Sequence, residues 1–236
     1  IEPAPHTLPP SDPILVEADA VLRFGMIEGE GVVRGGRVVY DPQSPHAPAG
    51  YRVNGSDAES LAFVCNAGEA TRLTGERDPE RAGAALLDGE KAEVVVVKRG
   101  SLGAAVIGRS GTGHVPAYRT DRVWTIGSGD VFSAVFAQAW AADGLPPLEA
   151  ASLASRAAAT YCSSLALPVP AADELRRDDR LVPIDARPKS GEGEPPLIYL
   201  AGPFFNMMER WVVGEAREAL IGQGFRVLSP LHDVGV

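Results

Sequence analysis

The chain has 236 residues, 45% hydrophobic and 22% charged, with a formal net charge of −9. That is globular composition, with apolar material for one large core or two small ones, and it excludes disorder throughout. The acidic balance excludes a nucleic-acid backbone or an anionic membrane as the main partner, since both demand basic patches, so an anionic substrate must be held by local amides, a metal or a few cations.

Residues 1–13 hold five prolines and are expected to run extended over a surface. Strands are then expected at Ala20–Phe24, Arg37–Tyr40, Leu61–Cys65 and Glu93–Val97. Their alternation with helical or loop stretches is the pattern of a mainly parallel sheet covered on both faces, an α/β fold. The run Val94-Val95-Val96-Val97 has no polar alternation and is expected at the centre of the sheet. A turn over Lys98–Leu102 leads to a further strand at Gly103–Gly108, and two helices are expected at Asp130–Ala142 and Leu148–Ser163, separated by Pro146-Pro147. Cys65 and Cys162 lie in apolar segments and read as buried thiols of a reducing cytoplasm. No stretch approaches the roughly 20 apolar residues that span a bilayer, and the first residues given do not read as a charged-then-apolar export signal. His6, His46 and His114 fall in loop-like sequence without ligand spacing and read as surface histidines.

Three segments that follow strands carry the chemistry. In Thr125-Ile126-Gly127-Ser128-Gly129-Asp130 the small residues let the backbone approach a ligand, and the amides entering the helix face whatever binds there. The helix dipole adds positive character at the same end, which favours an anion beside Asp130, a carboxylate able to take a proton from a hydroxyl. The same turn also fits a plain helix start, with Asp130 complementing the dipole for roughly 0.3–1 kcal/mol. Asn66-Ala67-Gly68-Glu69 lies directly after a strand, at the edge where α/β proteins bind ligands. It fits a capping box equally well. The third segment is Lys98-Arg99-Gly100-Ser101-Leu102-Gly103, where Lys98 reads either as a phosphate ligand or as a solvated strand-end lysine.

Together these segments resemble the ribokinase-like (PfkB) carbohydrate and nucleoside kinases, over residues 14–167. That family carries an Asn-x-x-Glu motif near metal and phosphates, a Gly-containing nucleotide loop and a Gly-Ala-Gly-Asp anion hole. The resemblance implies a ribokinase-like fold and ATP-dependent phosphorylation of a sugar or nucleoside hydroxyl. Asp130 would be the base, and the amides of Gly127, Ser128, Gly129 and Asp130 the anion hole. Asn66, Glu69, Lys98, Gly100, Gly103 and Thr125 would serve ATP, and Glu69 the water shell of Mg2+. Trp124 stands where the family commonly has aspartate, and the family's N-terminal acceptor-binding portion has no counterpart in this chain.

From Pro168 to Pro196 proline and charge dominate, and an interdomain linker is expected. A second unit at 197–236 is expected to open as Leu197–Ala201, a Gly202-Pro203-Phe204-Phe205 turn, a helix Met208–Gln223 and a strand Phe225–Leu228. This stretch looks like the start of a nucleoside 2-deoxyribosyltransferase, a second Rossmann-like α/β unit. The resemblance implies a nucleoside pocket built from Tyr199, Gly202, Pro203, Phe204, His232 and Asp233, with the family's nucleophilic glutamate expected beyond Val236. The whole therefore reads as part of a longer cytoplasmic, two-part salvage enzyme acting on a small molecule, with a homodimer as one assembly it allows. Glycosyl transfer on a kinase-like scaffold, and a non-catalytic nucleotide-binding module, are the alternatives.

Overall fold

The computed structural model describes residues 14–25, 31–44, 47–122, 124–184, 196–222 and 225–234. The chain divides into two compact units, residues 1–184 and 185–236. The proline-rich opening, His6, His46 and residues 185–195 of the expected linker lie outside the described residues.

The first unit is built on a six-stranded sheet in sequence order: β1 (Leu15–Phe24), β2 (Val32–Asp41), β3 (Asp57–Asn66), β4 (Val94–Lys98), β5 (Ala104–Gly108) and β6 (Gly111–Val115). Strands β1 to β4 are parallel neighbours, while β5 and β6 are antiparallel additions. The four-valine run lies between β3 and β5 and is wholly buried, as its continuous β-branched sequence requires. Helices α1 (Ala67–Thr74) and α2 (Pro79–Gly89) cover one face; α3 (Ser128–Ala137) and α4 (Pro147–Ser164) cover the other.

Side-chain alternation sorts the two layers. Val38, Tyr40, Leu61, Phe63, Val95 and Val97 pack with α1 and α2. Val39, Ala62, Val64, Val94 and Val96 meet α3 and α4, where alanines at 150, 151, 154 and 157 allow close approach. Phe136, fully buried, stacks on Trp140 at 6.1 Å, and the Arg37 guanidinium lies over the indole ring at 4.1 Å.

Several elements differ from the sequence expectation. Strands β1, β2 and β3 each span ten residues, because their outer halves carry small, polar or exposed residues that give no apolar signal. Strand β6 (GTGHV) has two glycines and one buried residue, too little for a period of two to register. Helix α2 begins at Pro79, capped by Asp78, whose carboxylate accepts from the amides of Glu80 and Arg81. Helix α3 starts two residues before Asp130 and ends in a wide turn over Gln138–Ala142. Within the expected linker, α5 (Ala172–Arg177) buries Leu175 to 2% exposure against the α3–α4 layer, and Arg156 donates to its carbonyl. Cys65 is buried, but Cys162 is only half-buried, against expectation; both are free thiols.

The second unit pairs β7 (Leu197–Tyr199) in parallel with β8 (Arg226–Leu228), joined through α6 (Met207–Gly222). Among the described residues no helix is long and apolar enough to cross a membrane.

Phe136→Ala should lower the free energy of unfolding by about 3–5 kcal/mol, whereas Val53→Ala, at a site 69% exposed, should change it by no more than about 0.5 kcal/mol. Urea denaturation followed by circular dichroism measures both; equal effects would contradict the packing of the α3 layer.

Candidate active site

Strands β2, β3 and β4 run parallel, so their C-terminal ends share one edge of the sheet. Val39, Val64 and Val96 face the α3–α4 layer, and the two-residue period carries Asp41, Asn66 and Lys98 to that same face at the edge. Asn66 and Lys98 are register partners.

Asn66 caps α1. Its Oδ1 accepts from the Glu69 amide at 2.8 Å, and Glu69 Oε2 accepts from the Asn66 amide at 2.8 Å, a complete capping box. Asn66 is nevertheless exposed and Glu69 buried, so the box leaves the amide side chain accessible at the edge. Burial pushes the Glu69 carboxyl above its ordinary value. The Asn66 amide works against the rise, the Asp41 charge adds to it, and Lys98 and Arg72 oppose it.

Lys98 is bound into the protein. Its Nζ lies 2.6 Å from Asp41 Oδ2, with Lys98 17% and Asp41 1% exposed at the side chain. Ser133 of α3, fully buried, donates to the same oxygen at 2.6 Å and lies 3.4 Å from Nζ. The structure thus pairs this lysine with Asp41 and does not leave it as a solvated strand end.

The 100–103 loop is a short 3-10 turn in which Gly100 and Gly103 both have positive φ, 56° and 76°. A Cβ on Gly103 would collide with the Val115 carbonyl, so the loop can close onto β6 only with glycine there.

The 125–130 turn opens α3. Gly127 takes a left-handed conformation (φ 82°), and a Cβ there would come within 2.8 Å of the Tyr161 hydroxyl, which donates to the Ile126 carbonyl at 3.2 Å. The Thr125 carbonyl accepts from both the amide (3.1 Å) and hydroxyl (2.7 Å) of Ser128, and Cys162 donates its thiol to the Trp124 carbonyl. The turn is thus held by α4, with Ser128, Gly129 and Asp130 as its first helical residues and no side chain capping their amides. The Ser128 amide closes the turn, and those of Gly129 and Asp130 remain available to an anion. A Cβ on Gly129 would sit 3.5 Å from Lys98 Nζ, which puts the ammonium directly behind the turn. Asp130 is exposed, and its Oδ1 accepts from the Gln43 side chain.

All three motif segments therefore meet around Lys98. Sequence reasoning missed Asp41, Gln43 and Ser133. Asp41-Pro42-Gln43 directly follows an apolar strand, as Asn66 does, and that position was the available signal. A cavity of about 790 Å³ opens at the opposite end of the sheet, between Leu61, Glu93, Thr112 and Pro147, and contains none of the motif residues.

Among the described residues no three His, Cys, Asp or Glu side chains form a metal cage. Magnesium needs none: it keeps several waters and is held by one or two carboxylates together with substrate phosphates. Glu69, with one oxygen committed to the Asn66 amide, fits a role through that water shell.

In the second unit Tyr199 ends β7 and is 62% exposed, and Gly202, Pro203 and Phe204 follow it. A Cβ at Gly202 would press on Val213 at 2.9 Å, and the Phe204 and Phe205 rings are tilted together at 5.7 Å. After β8, His232 Nδ1 lies 3.1 Å from Ser229 Oγ, and Asp233 accepts from the Ser229 amide while facing Arg217 at 3.7 Å. Since β7 and β8 are parallel, both loops leave the same end of this small sheet.

The first unit is thus an α/β sheet whose carboxyl edge brings together the start of a helix, a paired lysine and an exposed carboxylate. Residues 37–169, more than half of the chain, match the model of the pfkB family carbohydrate kinases, and the chain belongs to this family. Similar solved structures include a ribokinase from Thermotoga maritima (26% identity, TM-score 0.49, covering 62% of this chain and 48% of that one). Another is an Arabidopsis thaliana ribokinase complexed with ribose and ATP (22%, 0.47, 62% and 55%). A Burkholderia thailandensis nucleoside kinase in complex with inosine is a third (21%, 0.44, 59% and 46%). The chain spans about half the length of these structures. No curated protein matches it.

A carboxyl whose pKa is raised by folding stabilises the protein only while protonated, so Glu69 contributes most below its unfolded value of about 4.5 and that contribution is lost as pH rises through the folded value. Glu69→Gln keeps a capping acceptor and removes the titration. The stability of Glu69→Gln relative to wild type should therefore rise between pH 4 and pH 8 in thermal melts; a pH-independent difference would contradict the assignment.

Proposed function

We propose that the first unit carries the ATP-binding and phosphoryl-transfer machinery of a kinase acting on a sugar or nucleoside hydroxyl. The observation that carries the reading is the meeting of Lys98, Gly129 and the uncapped amides of α3 beside the exposed Asp130 carboxylate. Family membership supports it, and ribose, ATP and inosine are named for two of the similar structures.

In this reading Asp130 accepts the proton of the acceptor hydroxyl as its oxygen attacks the γ-phosphorus, and ADP leaves with the electrons of the broken P–O bond. The amides of Gly127, Gly129 and Asp130, presented by a turn that the Ser128 amide closes, stabilise charge on the transferred group, helped by the α3 dipole. Gly100 and Gly103 let the nucleotide loop come close to ATP, and Thr125 holds the turn through its carbonyl. Glu69 and Asn66 would hold the water shell of a magnesium ion bound with ATP, which would supply neutralisation of the phosphate charge. Gln43 leaves Asp130 to meet the substrate, because one side-chain hydrogen bond occupies one of its several acceptor sites.

A second reading concerns the second unit alone. Its two polar loops leave one end of a parallel strand pair, which favours a nucleoside-directed pocket of Tyr199, Gly202, Pro203, Phe204, His232 and Asp233 and a salvage role combining glycosyl and phosphoryl chemistry.

With ATP and magnesium against a panel of pentoses, hexoses and nucleosides, the chain should transfer phosphate, and Asp130→Asn should lower kcat by about 10²- to 10⁴-fold with ATP affinity retained. Tight ATP binding with no acceptor phosphorylated by wild type would favour a binding module. Release of free base from deoxynucleosides without ATP would place the activity in the second unit.

A further inference from the structure

We infer that Asp41 is the positioning residue of the phosphoryl-transfer centre: its buried carboxylate anchors Lys98 behind the 127–130 turn and holds α3 through Ser133. The inference rests on the kinase reading above and assigns a role to Asp41, Gln43 and Ser133, which the three motifs do not include.

Asp41 is 1% exposed, and two donors meet at its Oδ2 to compensate its burial, Lys98 Nζ and the Ser133 hydroxyl. Ser133 follows Asp130 by three residues and so lies on the same face of α3. Two residues beyond Asp41 the chain turns through Gln43, whose φ is 46°, and its amide donates to Asp130. One strand end therefore grips α3 at both 130 and 133 and sets the direction of the base. A further close approach secures the same strand end: Gly25 donates its amide to the Asp41 carbonyl at 2.8 Å, where a Cβ would collide with Pro42.

The charge matters as much as the tether. Lys98 carries three N–H donors; two are directed at Asp41 and Ser133, and Nζ backs onto Gly129. Paired with Asp41, it offers an arriving polyphosphate a dipole rather than a full positive charge. Asp41 keeps the ammonium paired in its half-enclosed place when no phosphate is present, and so limits how tightly nucleotide is held.

This has a consequence of opposite sign for two neighbouring substitutions. Asp41→Asn keeps shape and one acceptor but releases the Lys98 charge, whereas Lys98→Met removes it. On the full chain, calorimetric titration at low salt with ADP and a non-hydrolysable ATP analogue should show Asp41→Asn binding about 3- to 10-fold tighter. Lys98→Met should bind about 10-fold more weakly. The kcat of Asp41→Asn should fall at least about 10-fold as α3 loses its anchor. Ser133→Ala, which leaves the ion pair in place, should keep wild-type affinity and lower kcat. Affinity moving in the same direction in Asp41→Asn and Lys98→Met, as general loosening would produce, overturns the inference while leaving the kinase reading intact. If wild type binds no nucleotide, the kinase reading falls and this role with it. Should Asp41→Asn fail to fold, wild-type kcat in Ser133→Ala or unchanged affinity in Lys98→Met overturns it equally.

Discussion

A carboxylate with almost no access to water organises the carboxyl edge of the sheet. At 1% exposure Asp41 is compensated by a lysine from β4 and a serine from α3 that reach the same oxygen. Removing either donor would leave a buried charge short of its compensation, a cost of several kcal/mol in general. The strand and the helix are therefore not free to slide relative to each other, and the turn that begins α3 inherits that constraint. Placement of Asp130 follows from a contact made one helical turn deeper in the protein.

The same edge shows why two readings of one motif can both hold. The Asn66–Glu69 box is complete and would form in any helix of that sequence. What a cap alone does not require is Glu69 buried within the electrostatic reach of Asp41 and Lys98. The capping bonds hold the carboxyl in place, and burial raises its proton affinity, with Asp41 adding to the rise and Lys98 opposing it. Local structure and chemistry are served by the same two residues because the helix start lies at the sheet edge where ligands bind.

Much of this was legible in the sequence, and the boundary of legibility is physical. The Val94–Val97 strand, the α/β pattern and the glycine turn before α3 depend on local signals: β-branching, strand–helix alternation and backbone freedom. Asp41 carries no such signal. An aspartate before proline reads as the start of a turn, and only the register of β2 beside β3, with α3 above it, reveals that its side chain faces Lys98, 57 residues away. Helix α5 was hidden differently: Leu175 stands alone among charges in its segment, so no apolar period could announce a helix whose single buried residue fills a gap in the core. Strand β6 escaped because its glycines leave nothing for a periodic reading to detect.

A chain with a net charge of −9 must also admit a polyanion if the kinase reading is right. Exposed charges act over a Debye length of about 8 Å at physiological ionic strength, so the overall acidity weighs little on a phosphate once it is close. What decides binding is the first few ångströms, and there the protein presents amides, a helix dipole and one ammonium, none of which appears in the acidic total as an excess of base. Pairing that ammonium with Asp41 weakens the attraction further. Such restraint fits an enzyme better than a receptor, since binding substrate and product phosphates with equal tightness would slow release without speeding transfer.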